Sequence, residues 1–131
     1  MFLLPLIPFL TDTPQLIERA FKQAADIGLD YMIFGGMTLK DGRQRDYFSQ
    51  TVFQEFPQLE AAYRAIYLGS KWGSARGEYY EALHESFESV ARRYTIPQRI
   101  PARIYRDVLD ENDLVVVILE QLDYLLRQQG Q

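Results

Sequence analysis

Cysteine is absent from all 131 residues. That excludes disulfides, thiol nucleophiles, zinc–cysteine sites and iron–sulfur ligation by this chain itself. It also fits a reducing, cytoplasmic setting. Histidine occurs once, at His84, and a lone imidazole on a helical stretch reads as a surface residue rather than a ligand or a base. Long apolar runs are missing too. The opening stretch, Met1 to Leu10, is too short to span a membrane. It holds Pro5 and Pro8 and lacks the basic leader and small-residue cleavage site of a signal peptide. Positive charge is in deficit, with a formal net charge of −4. That gives no general pull toward nucleic acid or acidic membranes, though a local basic patch can still act. No nucleophile–base set, metal cluster or phosphate loop stands out.

What is present is a globular composition, 47% apolar and 14% aromatic, in a length that suits one domain with a real core. The pattern centres on Asp30-Tyr31-Met32-Ile33-Phe34-Gly35-Gly36-Met37-Thr38-Leu39. Its apolar run reads as a buried strand, and the glycine pair as its abrupt end. Phe2 to Leu10 reads as a second strand, irregular or at an edge because two prolines lack amide donors. Between them, Thr11-Asp12-Thr13-Pro14 is a helix-start signal. The helix predicted there runs to about Ile27, with Leu16, Ala20, Phe21, Ala24 and Ile27 on one face and Gly28 as its stop. Strand, helix and strand make a βαβ unit over residues 1–39, with parallel strands.

Residues 40–131 read as mainly helical. Gln44 to Glu55 is one helix, with Phe48, Val52, Phe53 and Phe56 inward. Pro57 ends it and starts another, to Leu68, with Leu59, Ala62, Tyr63 and Ile66 inward. Gly69 to Gly77 is a loop in which Trp72 is expected to pin the chain to the core. Glu78 to Tyr94 is a clear helix with Tyr80, Leu83, Phe87, Val90 and Tyr94 on one face. Ile96 to Ile104 reads as an extended connection with a short strand at most. Leu114 to Gln128 is a helix behind the acidic start Asp110 to Asp113.

Ligands of α/β proteins sit beyond the carboxyl ends of the strands. Gly35, Gly36 and Thr38 fall on that rim, either as a binding turn or as a tight turn that binds nothing. Asp12 follows the other strand; it can cap the helix or touch a ligand, and capping needs no ligand. Arg92, Arg93, Arg99, Arg103 and Arg106, with Tyr94 and Tyr105 among them, can hold phosphates or serve as ordinary surface charge. Tyr31, Tyr47 and Tyr105 read as packing.

Three segments, Pro5 to Thr13, Gly28 to Leu39 and Gln44 to Phe48, together with Tyr94-Thr95-Ile96-Pro97-Gln98-Arg99-Ile100-Pro101, resemble the later part of radical S-adenosylmethionine proteins. The branch is the one similar to spore photoproduct lyase. The resemblance implies the C-terminal part of an incomplete TIM-like (β/α) barrel, belonging to a longer chain. The parent would carry the C-x-x-x-C loop with a further x-x-C and its 4Fe-4S cluster, which cleaves S-adenosylmethionine to a 5′-deoxyadenosyl radical. This chain lacks that loop and would not catalyse alone. By the same resemblance, Pro8, Thr11, Asp12, Gly35, Gly36 and Thr38 would line the cofactor, and Arg43, Arg45 and Tyr47 would face substrate. The partner would be the remainder of the barrel. A piece of barrel taken alone carries open strand edges and uncovered helix faces, so self-association is expected. Two other readings stay open: a small α/β module holding an anion near the glycine pair, and a helical protein-interaction module.

Overall fold

The computed structural model of the protein describes residues 1–128; residues 129–131 lie outside it. The first unit is β1 (Phe2–Leu6), α1 (Pro14–Asp26) and β2 (Ile33–Gly36). The two strands pair in parallel, Phe2 with Ile33, Leu3 with Phe34 and Leu6 with Gly36. The register slips between Leu3 and Leu6, where Pro5 has no amide to give the ladder. The βαβ unit read from the sequence is therefore present, and the protein is a mixed α/β chain dominated by helix.

Local chemistry explains the first unit. The Thr13 side chain accepts from the Leu16 amide at 3.4 Å and caps α1, with Pro14 in the first turn. The cap is thus Thr13 and not Asp12. The inward stripe of α1 is Ile17, Phe21 and Ala24, whereas Leu16 and Ile27 are exposed. The expected face is turned by about one residue: an apolar periodicity gives a stripe's width, and the packing partner chooses its centre. Gly28 adopts φ 66° and lets the chain leave the helix.

β1 is shorter than the Phe2 to Leu10 expected. The amides of Leu10 and Thr11 both donate to the Ile7 carbonyl, at 3.1 and 2.9 Å, and the Ile7 amide donates to Thr11 Oγ1 at 2.7 Å. That closed turn ends the ladder. Phe9 within it sits at φ 63°, a left-handed conformation that a residue with a Cβ holds only when its surroundings impose it.

The second half comprises α2 (Arg43–Glu55), a 3-10 turn (Pro57–Leu59), α3 (Glu60–Tyr67), α4 (Gly77–Tyr94), α5 (Ala102–Arg106) and α6 (Leu114–Gln128). Pro57 breaks the helical ladder as expected. α5 corrects the reading of Ile96 to Ile104 as extended: a helix begins at Ala102, and Pro101 sits just outside it in an extended conformation. The connection touches the sheet through one main-chain hydrogen bond, from the Met32 amide to the Pro97 carbonyl at 2.9 Å. No described helix is long and apolar enough to cross a membrane.

The core has two parts. One lies between α1, α4 and the sheet, where Ile17, Phe21, Met32 and Phe87 are fully buried. Phe87 stacks on Phe34 with centroids 4.1 Å apart and meets Phe21 edge-on at 4.9 Å. Each such side chain contributes about 1.5–3 kcal/mol by burial. The other part gathers Met37, Leu39, Val52, Tyr63, Tyr67 and Ala75 beyond the strand ends. Tyr79 packs against both.

Candidate functional site

Both strands run in parallel, so their C-terminal ends emerge on one side. There the main chain must find partners for carbonyls that the ladder no longer satisfies. Three tyrosines supply them. Tyr63 Oη donates to the Pro8 carbonyl at 2.7 Å, and Tyr67 Oη to the Met37 carbonyl at 2.8 Å. Tyr80 Oη reaches the same Met37 carbonyl at 3.4 Å. A fourth, Tyr79, donates to Asp12 Oδ2 at 2.6 Å. Tyr63 and Tyr67 stand one turn apart on α3, so both phenols point the same way. Tyr79 and Tyr80 are neighbours in the first turn of α4.

Burial of the Tyr63, Tyr67 and Tyr79 phenols disfavours their ionised forms. Desolvation, then the Asp12 charge, pushes Tyr63 up to about 12. Tyr67 rises for the same leading reason, with its tyrosine neighbours adding to it. Tyr79 rises through burial and then through its hydrogen bond to Asp12. The Tyr63, Tyr67 and Tyr79 hydroxyls therefore remain neutral donors at ordinary pH, and none of the three is a phenolate base.

The sequence-derived residues fall around this cluster. Pro8 is buried with its carbonyl taken. Thr11 is exposed, but its hydroxyl closes the turn after β1. Asp12 is half-buried and held by Tyr79. At Gly35 an added Cβ would meet the Leu4 side chain of β1 at 3.4 Å. At Gly36 a Cβ would overlap the Tyr80 ring. The close approach that glycine allows there is made by a side chain of the protein itself. Thr38 is exposed beyond the rim.

Arg43 and Tyr47, at the start of α2, are exposed, Tyr47 by 73%. Arg45 pairs with Asp41 and lines a cleft of about 300 Å³ with Ser49, Gln50, Tyr63, Arg64 and Tyr67. The structure thus brings Arg45 beside the tyrosine cluster and leaves Arg43 and Tyr47 outside that cleft. Arg64, which the sequence did not single out, joins it while paired with Glu60 at 2.6 Å.

Trp72 departs from its expected packing role. It is 67% exposed, with Lys40 Nζ 5.1 Å and Lys71 Nζ 5.8 Å from its ring centre. Its neighbour does the anchoring. Gly73, at φ 72°, accepts from the Leu39 amide at 2.7 Å, so close to Leu39 and Lys40 that no Cβ fits. His84 stays on the surface, paired with Glu88 at 3.0 Å. The five arginines of the second half all have carboxylate partners: Arg92 with Glu88, Arg93 with Glu18, Arg99 with Asp123, Arg103 with Asp30 and Arg106 with Glu120. Each of the five is thus paired within its own chain.

The described residues hold no group of three or more histidine, cysteine or acidic side chains able to bind a metal ion. With no cysteine in the sequence, a 4Fe-4S cluster does not fit this chain. Comparison with protein-family models, with curated proteins and with solved structures found no match.

The sequence reading missed the tyrosine cluster. Tyr63 and Tyr80 were assigned to apolar faces, and Tyr67 and Tyr79 to none. The available signal was a pair of tyrosines one helical turn apart at inward positions, since a buried phenol needs an acceptor.

Proposed function

We propose that this chain is the C-terminal part of a radical S-adenosylmethionine enzyme, in the branch similar to spore photoproduct lyase. It lines the cofactor and substrate side of an incomplete β/α barrel and is not catalytic alone. The observation that carries this is the parallel β1–β2 pair, whose two strand exits share one rim. That is the arrangement from which barrel enzymes build their sites. The edge of β1 away from β2 has no strand on it among the described residues, which fits a sheet that continues into further strands.

On this reading the cluster and its cysteines belong to the parent. S-adenosylmethionine, when bound, supplies the 5′-deoxyadenosyl group. This chain contributes Thr11, Asp12 and Thr38, whose hydroxyls and carboxylate are the groups suited to ribose hydroxyls or an amine. The tyrosine cluster keeps the rim main chain satisfied and in place. Pro8, Gly35 and Gly36 act through backbone shape, and Arg45 with Arg64 faces the anionic part of a substrate.

The reading frame upstream of Met1 tests the proposal first: it should encode three cysteines in the C-x-x-x-C-x-x-C pattern. The full-length parent, reconstituted anaerobically with iron and sulfide, should then release 5′-deoxyadenosine from S-adenosylmethionine on reduction. Absence of the triplet, or no cleavage by a loaded parent, contradicts it.

A further inference from the structure

α6 is built inside out. A surface helix usually turns its apolar stripe to the core and its charges to water. Here the charges face the protein. Glu120 accepts from Arg106 Nε at 2.6 Å, and Asp123 pairs with Arg99 and accepts from the Ala102 amide at 3.4 Å. Val116 is the one fully buried residue of the helix. The side away from Val116 carries Leu114, Val115, Ile118, Leu122 and Leu125, each between 43% and 71% exposed, while Val117 and Tyr124, also exposed, lie beyond Gln121 and Gln128.

We propose that this strip is the seam of a homodimer, with α6 packed against α6 of a second copy of this chain. Val115, Ile118, Leu122 and Leu125 follow one another by three, four and three residues. That is the a and d spacing at which two helices interlock side chains. The positions flanking the seam are Leu114, Leu119, Gln121, Leu126 and Gln128. None is charged, so two identical helices meet without like-charge repulsion. A foreign partner is ordinarily chosen by charges at these flanks, and there are none here to choose with.

The nearest acids on the helix, Glu120 and Asp123, are already neutralised by arginines of their own chain. A twofold axis satisfies all of this with one surface. The inference does not depend on the barrel reading. It also differs from pairing through the open edge of β1.

Sedimentation equilibrium of the purified chain tests it. The wild-type chain should sediment as a dimer. Ile118→Glu with Leu125→Glu places charge on two already exposed positions, so folding is expected to survive. This double variant should raise the dimer dissociation constant by about a hundredfold or more. Its far-ultraviolet circular dichroism and cooperative melt should stay those of a folded protein. Leu122→Ala, a milder change that keeps the test valid if the double variant does not fold, should weaken the dimer about tenfold. Leu4→Lys, at the edge of β1, should leave the dimer intact. A wild-type chain that remains monomeric at its highest soluble concentration overturns the proposal, whether or not it adsorbs to lipid vesicles. So does a dimer that survives the α6 changes, or one that Leu4→Lys dissolves.

Discussion

The rim beyond the two strands and the outer face of α6 are opposites. At the rim, four tyrosine hydroxyls find an acceptor, and glycines are used where side chains press against the backbone. On α6, the charges are matched inward and the apolar groups are left to water. The difference separates two kinds of completeness. Polar groups in the first region are satisfied within the chain. Apolar groups in the second are satisfied only by something outside it. A buried polar group without a partner costs more than an exposed leucine, so a folded chain can tolerate the second condition and not the first.

Substitutions should break this contrast in a graded way. The deepest reference point is Phe87, fully buried between Phe21 and Phe34. Phe87→Ala should cost about 3–5 kcal/mol, read as a lowered midpoint in urea. At the rim, Tyr63→Phe removes the donor from the buried Pro8 carbonyl and should cost about 1–3 kcal/mol. An unchanged urea midpoint would show that the carbonyl is satisfied in another way. Gly36→Ala sets a methyl group into the Tyr80 ring and should cost about 1–3 kcal/mol; pairing it with Tyr80→Ala should recover part of the loss, which a double-mutant cycle reads directly. On α6, Leu114→Ser should shift the stability of the monomer by no more than about 0.5 kcal/mol, although it removes a large apolar side chain.

Alkaline pH sharpens the same contrast. In the unfolded chain the Tyr63 phenol ionises at its ordinary value, 10.0, and in the folded protein at about 12. The neutral form is therefore favoured by folding. Its contribution is fully present below pH 10 and is lost as the pH rises from 10 toward 12. Stability measured across that interval should fall, and Tyr63→Phe should flatten the fall. An equal slope in both proteins would remove Tyr63 as its source.

Much of the fold was legible because its signals are local. Thr13-Pro14 started α1, Gly28 ended it, Pro57 split α2 from α3, and the apolar stretches on either side of α1 became parallel strands. The site was less legible because its bonds span the sequence. Tyr63 and Pro8 lie 55 residues apart, and Tyr79 and Asp12 lie 67 apart. A helical period reveals a tyrosine on a face but not the carbonyl opposite it. The same limit applies to α6, where a helix from Leu114 to Gln128 was legible and the direction of its apolar side was not. Direction is decided by neighbours, here Arg99 and Arg106 drawing the acids inward. Trp72 misled for a related reason: the contact that anchors its loop is made by Gly73, a residue with no side chain to read.

The exposed indole at position 72 makes the protein its own optical reporter. It is the single tryptophan of the chain, it stands between two ammonium groups, and the adjoining peptide is hydrogen-bonded to the segment leaving β2. An acidic molecule settling beside Lys40 would draw an ammonium away from the ring, and the change in emission intensity would record its arrival without any added dye.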